Sequence, residues 1–218
     1  MNIDPKQLSK LVSYMATFDG GVYYSGKQKG ESSKANCKFI LNMRKENEDY
    51  VLWVKSTLEN ITSVSVREPK DYNTDGYTRQ PLLRLESQYH PYFTKVRDRL
   101  YIDNHKVIDP HMLTLMDAEA LAIIFMCDGG THLDLRFKNP HASISLHTKG
   151  FSYADNMALS KAIYEKTGIV TNVNRHKKYW FLRVAKRSHK DFYSAVKPHV
   201  LPSFDYKFER IAPVITGW

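Results

Sequence analysis

Leu121-Ala122-Ile123-Ile124-Phe125-Met126-Cys127-Asp128-Gly129-Gly130 is the stretch whose reading decides the fold. An unbroken apolar run ends abruptly in an acid and two glycines, which predicts an almost wholly apolar helix over Asp117–Cys127. Taken alone, Asp-Gly-Gly reads as a helix stop, with glycines supplying left-handed backbone and the aspartate bonding a nearby amide. The same tripeptide stands at Asp19, however, after Leu8, Leu11, Val12 and Met15 at helical spacing. There Asp4 can cap a helix reaching Phe18, and Pro5 can occupy its first turn.

Working outward, each Asp-Gly-Gly is followed by the same kinds of element. After the first come a strand with alternating character over Lys34–Arg44, a helix over Glu46–Ile61, strands over Ser63–Arg67 and Tyr77–Ser87, and a helix over His90–Tyr101. After the second come strands over Thr131–Lys138 and Ala142–Lys149, and a helix over Tyr153–Thr167 ending near Gly168. Strands over Ile169–Arg175 and Lys178–Arg187 and a helix over Ser188–His199 complete it. His-x-x-Phe also recurs, at His90–Phe93 and His189–Phe192. The chain therefore reads as a duplicated α+β fold: residues 1–105, a connection over 106–112, and residues 113–218. Two copies of one unit suggest a pseudo-twofold protein, suited to a pseudo-symmetric ligand such as duplex DNA.

Charge points the same way, since 32 Lys and Arg against 23 Asp and Glu leave +9, which attracts a polyanion. No apolar run approaches the roughly 20 residues that span a bilayer. The N-terminus shows no signal or transit pattern. The chain reads as soluble and intracellular, acting where DNA is found, in a bacterial or phage-infected cytoplasm or an organelle. Cys37 and Cys127 lack metal-ligand spacing and read as reduced core thiols.

Asp19 and Asp128 each fall at a helix C-terminus, where exposed carbonyls disfavour a carboxylate by roughly 0.3–1 kcal/mol. The same unfavourable choice made twice in one repeat suggests that a shared cation compensates both. Carboxylates, with the backbone carbonyls of Phe18 and Cys127, are hard oxygen donors, so the expected ion is Mg²⁺, with Mn²⁺ as the substitute. Such a site equips a protein for phosphodiester hydrolysis.

The polar strand faces supply a matching surface. One set is Lys38, Asn42, Arg44, Ser65 and Arg67, and the other is His132, Arg136, Lys138, Ser145 and His147. Arg84, Arg175 and Arg183 extend the basic surface, although Tyr179, Trp180 and Phe181 leave the phase of the last strand open. Any half-buried antiparallel strand has a polar side, so the excess of Lys and Arg is what favours nucleic acid. Lys27, Gln28 and Lys29 fall in the loop after the first motif and suit backbone contacts.

Val12–Gly20 and, more closely, Leu121–Gly129 resemble the motif of the LAGLIDADG homing endonucleases. The lead-in Leu115–Ala120, the segment His90-Pro-Tyr-Phe-Thr-Lys, and Val196–Pro202 with Tyr206-Lys207 resemble the monomeric double-motif subfamily. The sequence departs from the pattern in having Tyr14 and Ile123 at the family's glycine position and Cys127 in place of the first Asp of Asp-Asp-Gly-Gly. The resemblance implies two αββαββα units with motif helices at their interface and two antiparallel sheets forming a saddle over double-stranded DNA. It implies cleavage of a long asymmetric site across the minor groove, leaving short 3′ overhangs, with Asp19 and Asp128 as the essential acids. Positional similarity adds Lys106 and Lys207 as catalytic lysines. The alternative is a binding protein on the same scaffold that has lost cleavage, or a maturase that binds intron RNA.

Overall fold

The computed structural model describes residues 3–24, 36–69, 81–136 and 140–217. The chain divides into two units, residues 1–105 and 106–218. In the first, the Asp4 carboxylate accepts from the Gln7 N–H at 3.0 Å and starts α1 (Pro5–Thr17). This helix buries Leu11, Val12, Tyr14, Met15 and Ala16. The order continues with β1 (Gly20–Tyr24), β2 (Cys37–Arg44), α2 (Glu48–Leu58), β3 (Val64–Arg67), β4 (Leu82–Ser87) and α3 (Pro91–Leu100). Its sheet is antiparallel in the order β1-β2-β4-β3. Strict alternation in β2 puts Phe39, Leu41 and Met43 into the core, as the period-two pattern requires.

After α3, the short strands β5 (Tyr101–Ile102) and β6 (His105–Lys106) pair as a hairpin. Asp103 and Asn104 make its turn with φ of 48° and 63°, the left-handed pair that a two-residue type I′ turn demands. Residues 106–112, expected as a plain connection, thus hold the end of a hairpin strand and the start of α4 (Pro110–Thr114).

The second unit is built on α5 (Ala118–Asp128), capped by Asp117, whose carboxylate accepts from the Ala120 N–H at 2.9 Å. Every residue from Ala120 to Met126 is buried, the fate of a helix that is apolar all round. Then come β7 (Gly129–Asp134), β8 (His141–Leu146), α6 (Tyr153–Thr167), β9 (Thr171–His176), β10 (Tyr179–Val184) and α7 (His189–Val196). Short helices α8 (Tyr206–Glu209) and α9 (Ala212–Thr216), which periodicity did not foresee, close the chain. The sheet order β7-β8-β10-β9 repeats that of the first unit, so the duplication extends to topology. Phe125 stacks on Phe208 at 4.5 Å between ring centres and meets Phe192 edge-on at 5.3 Å, tying α5 to α7 and α8.

Both repeated histidines serve helix starts: His90 Nδ1 accepts from the Tyr92 N–H at 3.2 Å, and His189 bonds the Val184 carbonyl at 3.2 Å. One expectation is corrected. The glycine pairs do not stop the motif helices through left-handed backbone, because the only described glycines with positive φ are Gly168 and Gly217. They begin strands β1 and β7, and what they supply is room. A Cβ on Gly129 would lie 2.3 Å from the Phe125 carbonyl oxygen, and one on Gly20 would lie 2.8 Å from that of Met15. Gly168, by contrast, does end α6 in the left-handed conformation, with φ of 73°. Among the described residues no helix is long and apolar enough to cross a membrane.

Candidate nucleic-acid interface

On the first sheet, the residues that alternate with the core set are Lys38, Ile40, Asn42 and Arg44 on β2, Ser65 and Arg67 on β3, and Arg84 and Glu86 on β4. Register aligns Asn42, Arg84 and Arg67 in one cross-strand row and Ile40, Glu86 and Ser65 in the next. Five expected contact residues (Lys38, Asn42, Ser65, Arg67 and Arg84) therefore share one small area, with Arg44 at its end, paired to Glu46 at 3.2 Å. Glu86, which sequence reading passed over, sits among them. Its carboxylate accepts from Arg84 Nε at 2.5 Å and Lys38 Nζ at 3.2 Å, and Arg67 lies 3.5 Å away. Burial pushes the Glu86 carboxyl up, but hydrogen bonds and charge from Arg84 and Lys38 outweigh it and hold the group below the usual range.

The second sheet settles the phase of β10. Leu182 and Val184 are buried on the core side, so Tyr179, Phe181 and Arg183 face outward. Arg183 pairs with Ser145 on β8 and with Asn172 on β9, and Phe181 pairs with Asn174. Arg183, Ser145, Phe181 and Asn174, with His147, line a shallow basin of about 390 Å³. Arg183 lies over the Phe181 ring at 5.7 Å. Arg175 pairs with Trp180 and therefore starts from the other face of the sheet, its guanidinium 5.4 Å from the Trp180 ring, although it still borders the basin. His132 and Asp134 lie farther along the outward face of β7, opposite Ser143 and His141. Arg136 is clamped to Asp134 through Nε and Nη2, at 2.9 and 2.6 Å, which holds that carboxyl down at about 2. Lys138, with Lys27, Gln28 and Lys29, lies outside the described residues. Burial, aided by Lys149 and Lys207, pushes the His147 imidazole down, favouring its neutral form.

Asp128 is the last residue of α5, and Asp19 lies two residues past the end of α1; both are half-exposed. The Asp128 carbonyl accepts from the His147 N–H at 2.7 Å, which ties the end of α5 to the residue after β8. Lys207 is buried to 9% exposure, and its ammonium donates to the carbonyls of Phe125, Met126 and Gly129 at 3.0, 2.6 and 2.8 Å. Positive charge thus sits where the helix end and Asp128 are negative. The electrostatic penalty read from sequence is offset from a distant segment. Thr131 Oγ1 also donates to the Lys207 carbonyl, fixing α8 to β7. Lys106 is half-buried on β6. Phe18 is the C-cap of α1, and Cys127 lies in the last turn of α5.

Among the described residues no three His, Cys, Asp or Glu side chains cluster to enclose a metal. Single hard carboxylates, one per helix end, fit a cation that keeps much of its water and takes substrate oxygens, as Mg²⁺ does, and do not fit zinc.

Residues 20–192 match the model of the LAGLIDADG DNA endonuclease family. A relative from Wickerhamomyces canadensis, "Probable intron-encoded endonuclease 1", is 24% identical over 80% of this chain and 75% of its own. "Probable intron-encoded DNA endonuclease 3" of Mycosarcoma maydis is 27% identical over 45% of this chain and 68% of its own. Among solved structures, the homing endonuclease I-WcaI bound to its DNA recognition sequence aligns with a TM-score of 0.71 at 20% identity, over 93% of this chain and 85% of that one. The meganuclease I-SmaMI bound to uncleavable DNA aligns at 0.59 and 10% identity, over 100% of this chain and 92% of that one. The likeness to the solved structures is one of fold, and by the family model over residues 20–192 the chain belongs to the LAGLIDADG DNA endonuclease family.

Proposed function

We propose that this protein is a site-specific endonuclease of double-stranded DNA, in which Asp19 and Asp128 are the catalytic acids and each serves one strand. The observation that carries the reading is the repetition of a carboxylate at the end of each motif helix, at the start of a sheet whose outward face is basic and polar. The two carboxylates would hold Mg²⁺, or Mn²⁺ in its place, which supplies an activated water and neutralises charge on the scissile phosphate. The chain's own contribution is to fix those carboxylates. Gly20 and Gly129 let each strand leave its helix within contact distance, and Lys207 holds the end of α5.

Lys106 and Lys207 are the lysines that would stabilise charge developing on the phosphate, and Lys207 also holds the end of α5 beside Asp128. Contact with DNA falls to Lys38, Asn42, Arg44, Ser65, Arg67 and Arg84 on one sheet. On the other it falls to His132, Arg136, Lys138, Ser145, His147, Arg175 and Arg183. Family membership supports the finer reading: a monomer that cuts a long asymmetric site across the minor groove and leaves short 3′ overhangs.

The test starts from a randomised duplex library, from which the protein should enrich one sequence. With Mg²⁺ that duplex should be cut on both strands. Asp19→Asn or Asp128→Asn should each slow double-strand cleavage by about 10²-fold or more while leaving binding intact. Tight binding without scission, unchanged by either substitution, would instead favour the binding-module or RNA-maturase alternative.

A further inference from the structure

A carboxylate on a surface that attracts phosphates is electrostatically costly, yet Glu86 occupies the middle of the first sheet's outward face with a side-chain exposure of only 17%. Its neighbours explain what it does. Glu86 engages Arg84 through Nε, leaving both terminal nitrogens of the guanidinium with no acceptor among the described residues. Those nitrogens form the fork that bonds guanine O6 and N7 in the major groove. Lys38 holds the carboxylate from the opposite strand at 3.2 Å, and Ser65 Oγ donates to the Glu86 backbone carbonyl at 3.4 Å, so Glu86 is itself fixed. Asn42 and Arg67 flank Arg84 in the same row and confine it laterally.

We infer that Glu86 is a positioning residue that aims the Arg84 fork at a guanine edge, making this part of the sheet read sequence instead of binding any phosphate. The inference rests on the endonuclease reading only in requiring that this sheet meets duplex DNA. Without Glu86, Arg84 and Lys38 would each be free to seek phosphates, and affinity for DNA of any sequence would rise as discrimination fell.

The experiment compares the wild-type protein with E86Q, E86D and R84Q, selecting from a randomised duplex library and then titrating a fixed random-sequence 30-base-pair duplex over a range of salt. The wild-type selection should contain a guanine whose replacement weakens binding about 10-fold. E86Q should reduce that discrimination to about 2-fold, bind the random duplex about 3-fold more tightly, and steepen the salt dependence. E86D, which keeps the charge, should retain the guanine preference. R84Q, a change at a partly exposed side chain, should lose the same guanine with no gain on random duplex. Retention of the guanine preference by E86Q or by R84Q overturns the inference and leaves the endonuclease reading standing. Equal loss of specific and random binding in E86Q also overturns it, as a folding effect that its thermal melt would register. Enrichment of no sequence by the wild-type protein overturns both.

Discussion

On the first sheet, one half-buried carboxylate gathers Arg84, Lys38 and Arg67 around itself. On the second, Arg183 meets no carboxylate among the described residues and lies over Phe181 beside a basin edged by Ser145, Asn174 and a His147 pushed toward neutrality. The second sheet's own carboxylate, Asp134, stands at the end of its strand and is matched to Arg136, whose side chain is 84% exposed. The end of α5 is held besides by a buried ammonium from the same unit. Two units with one topology have thus reached different electrostatic arrangements. Strand order and face are inherited by duplication, but charge placement is free to diverge, as an asymmetric DNA site would require.

The largest effect that would break this comparison concerns the second helix end. Lys207→Met should lower the unit's stability by about 2–3 kcal/mol, by stranding carbonyls that now accept from a charged donor. Urea unfolding at constant m-value measures it. Unchanged stability with lost cleavage would leave Lys207 with direct catalysis alone.

A smaller effect sharpens the contrast between sheets. Arg183→Gln should reduce the slope of log affinity against log salt by about 1, whereas Arg84→Gln should change it by less, its charge being already partly neutralised. Equal slopes would remove the distinction. Smallest of all is the Asp134 pair. Its carboxyl is held down in the folded protein, so the stabilisation is present above the ordinary carboxylate range and fades as pH falls toward about 2. Arg136→Ala should raise the Asp134 titration, followed by carboxyl NMR, toward but not fully to the unperturbed 3.8, because the backbone N–H of residue 136 still donates to the carboxylate.

Much of this was legible in the sequence wherever cause and effect are local. Asp4, Asp117 and Gly168 mark helix ends through bonds or backbone angles within a few residues, and the alternation of β2 names its buried face outright. The strand β1 was not legible, because Gly20-Gly21 looks like punctuation, and its strand character comes from pairing with residues 37–41 of β2. The side of Arg175 was left open in the sequence for a related reason: phase in β9 depends on which face of β10 the core selects. Lys207 could be singled out only through resemblance, since its carbonyl partners lie about 80 residues away in the chain. Glu86 did carry a signal, the same parity as Arg84 two positions earlier, but an acid is not what one seeks on a surface for polyanions.

The join between α5 and β7 has a consequence for how this gene can change. Helix ends at Asp128 and strand begins at Gly129, with no residue between them, whereas Phe18 and Asp19 separate α1 from β1. A strand alternates sides at every residue, so one codon inserted after Asp128 would turn His132 and Asp134 toward the core and Thr131 and Leu133 toward solvent. The first join, having two residues of slack, can absorb length variation that the second cannot. Insertions and deletions should therefore be tolerated unequally at two places that look alike in sequence, and a deep insertion scan would show the second as the more intolerant.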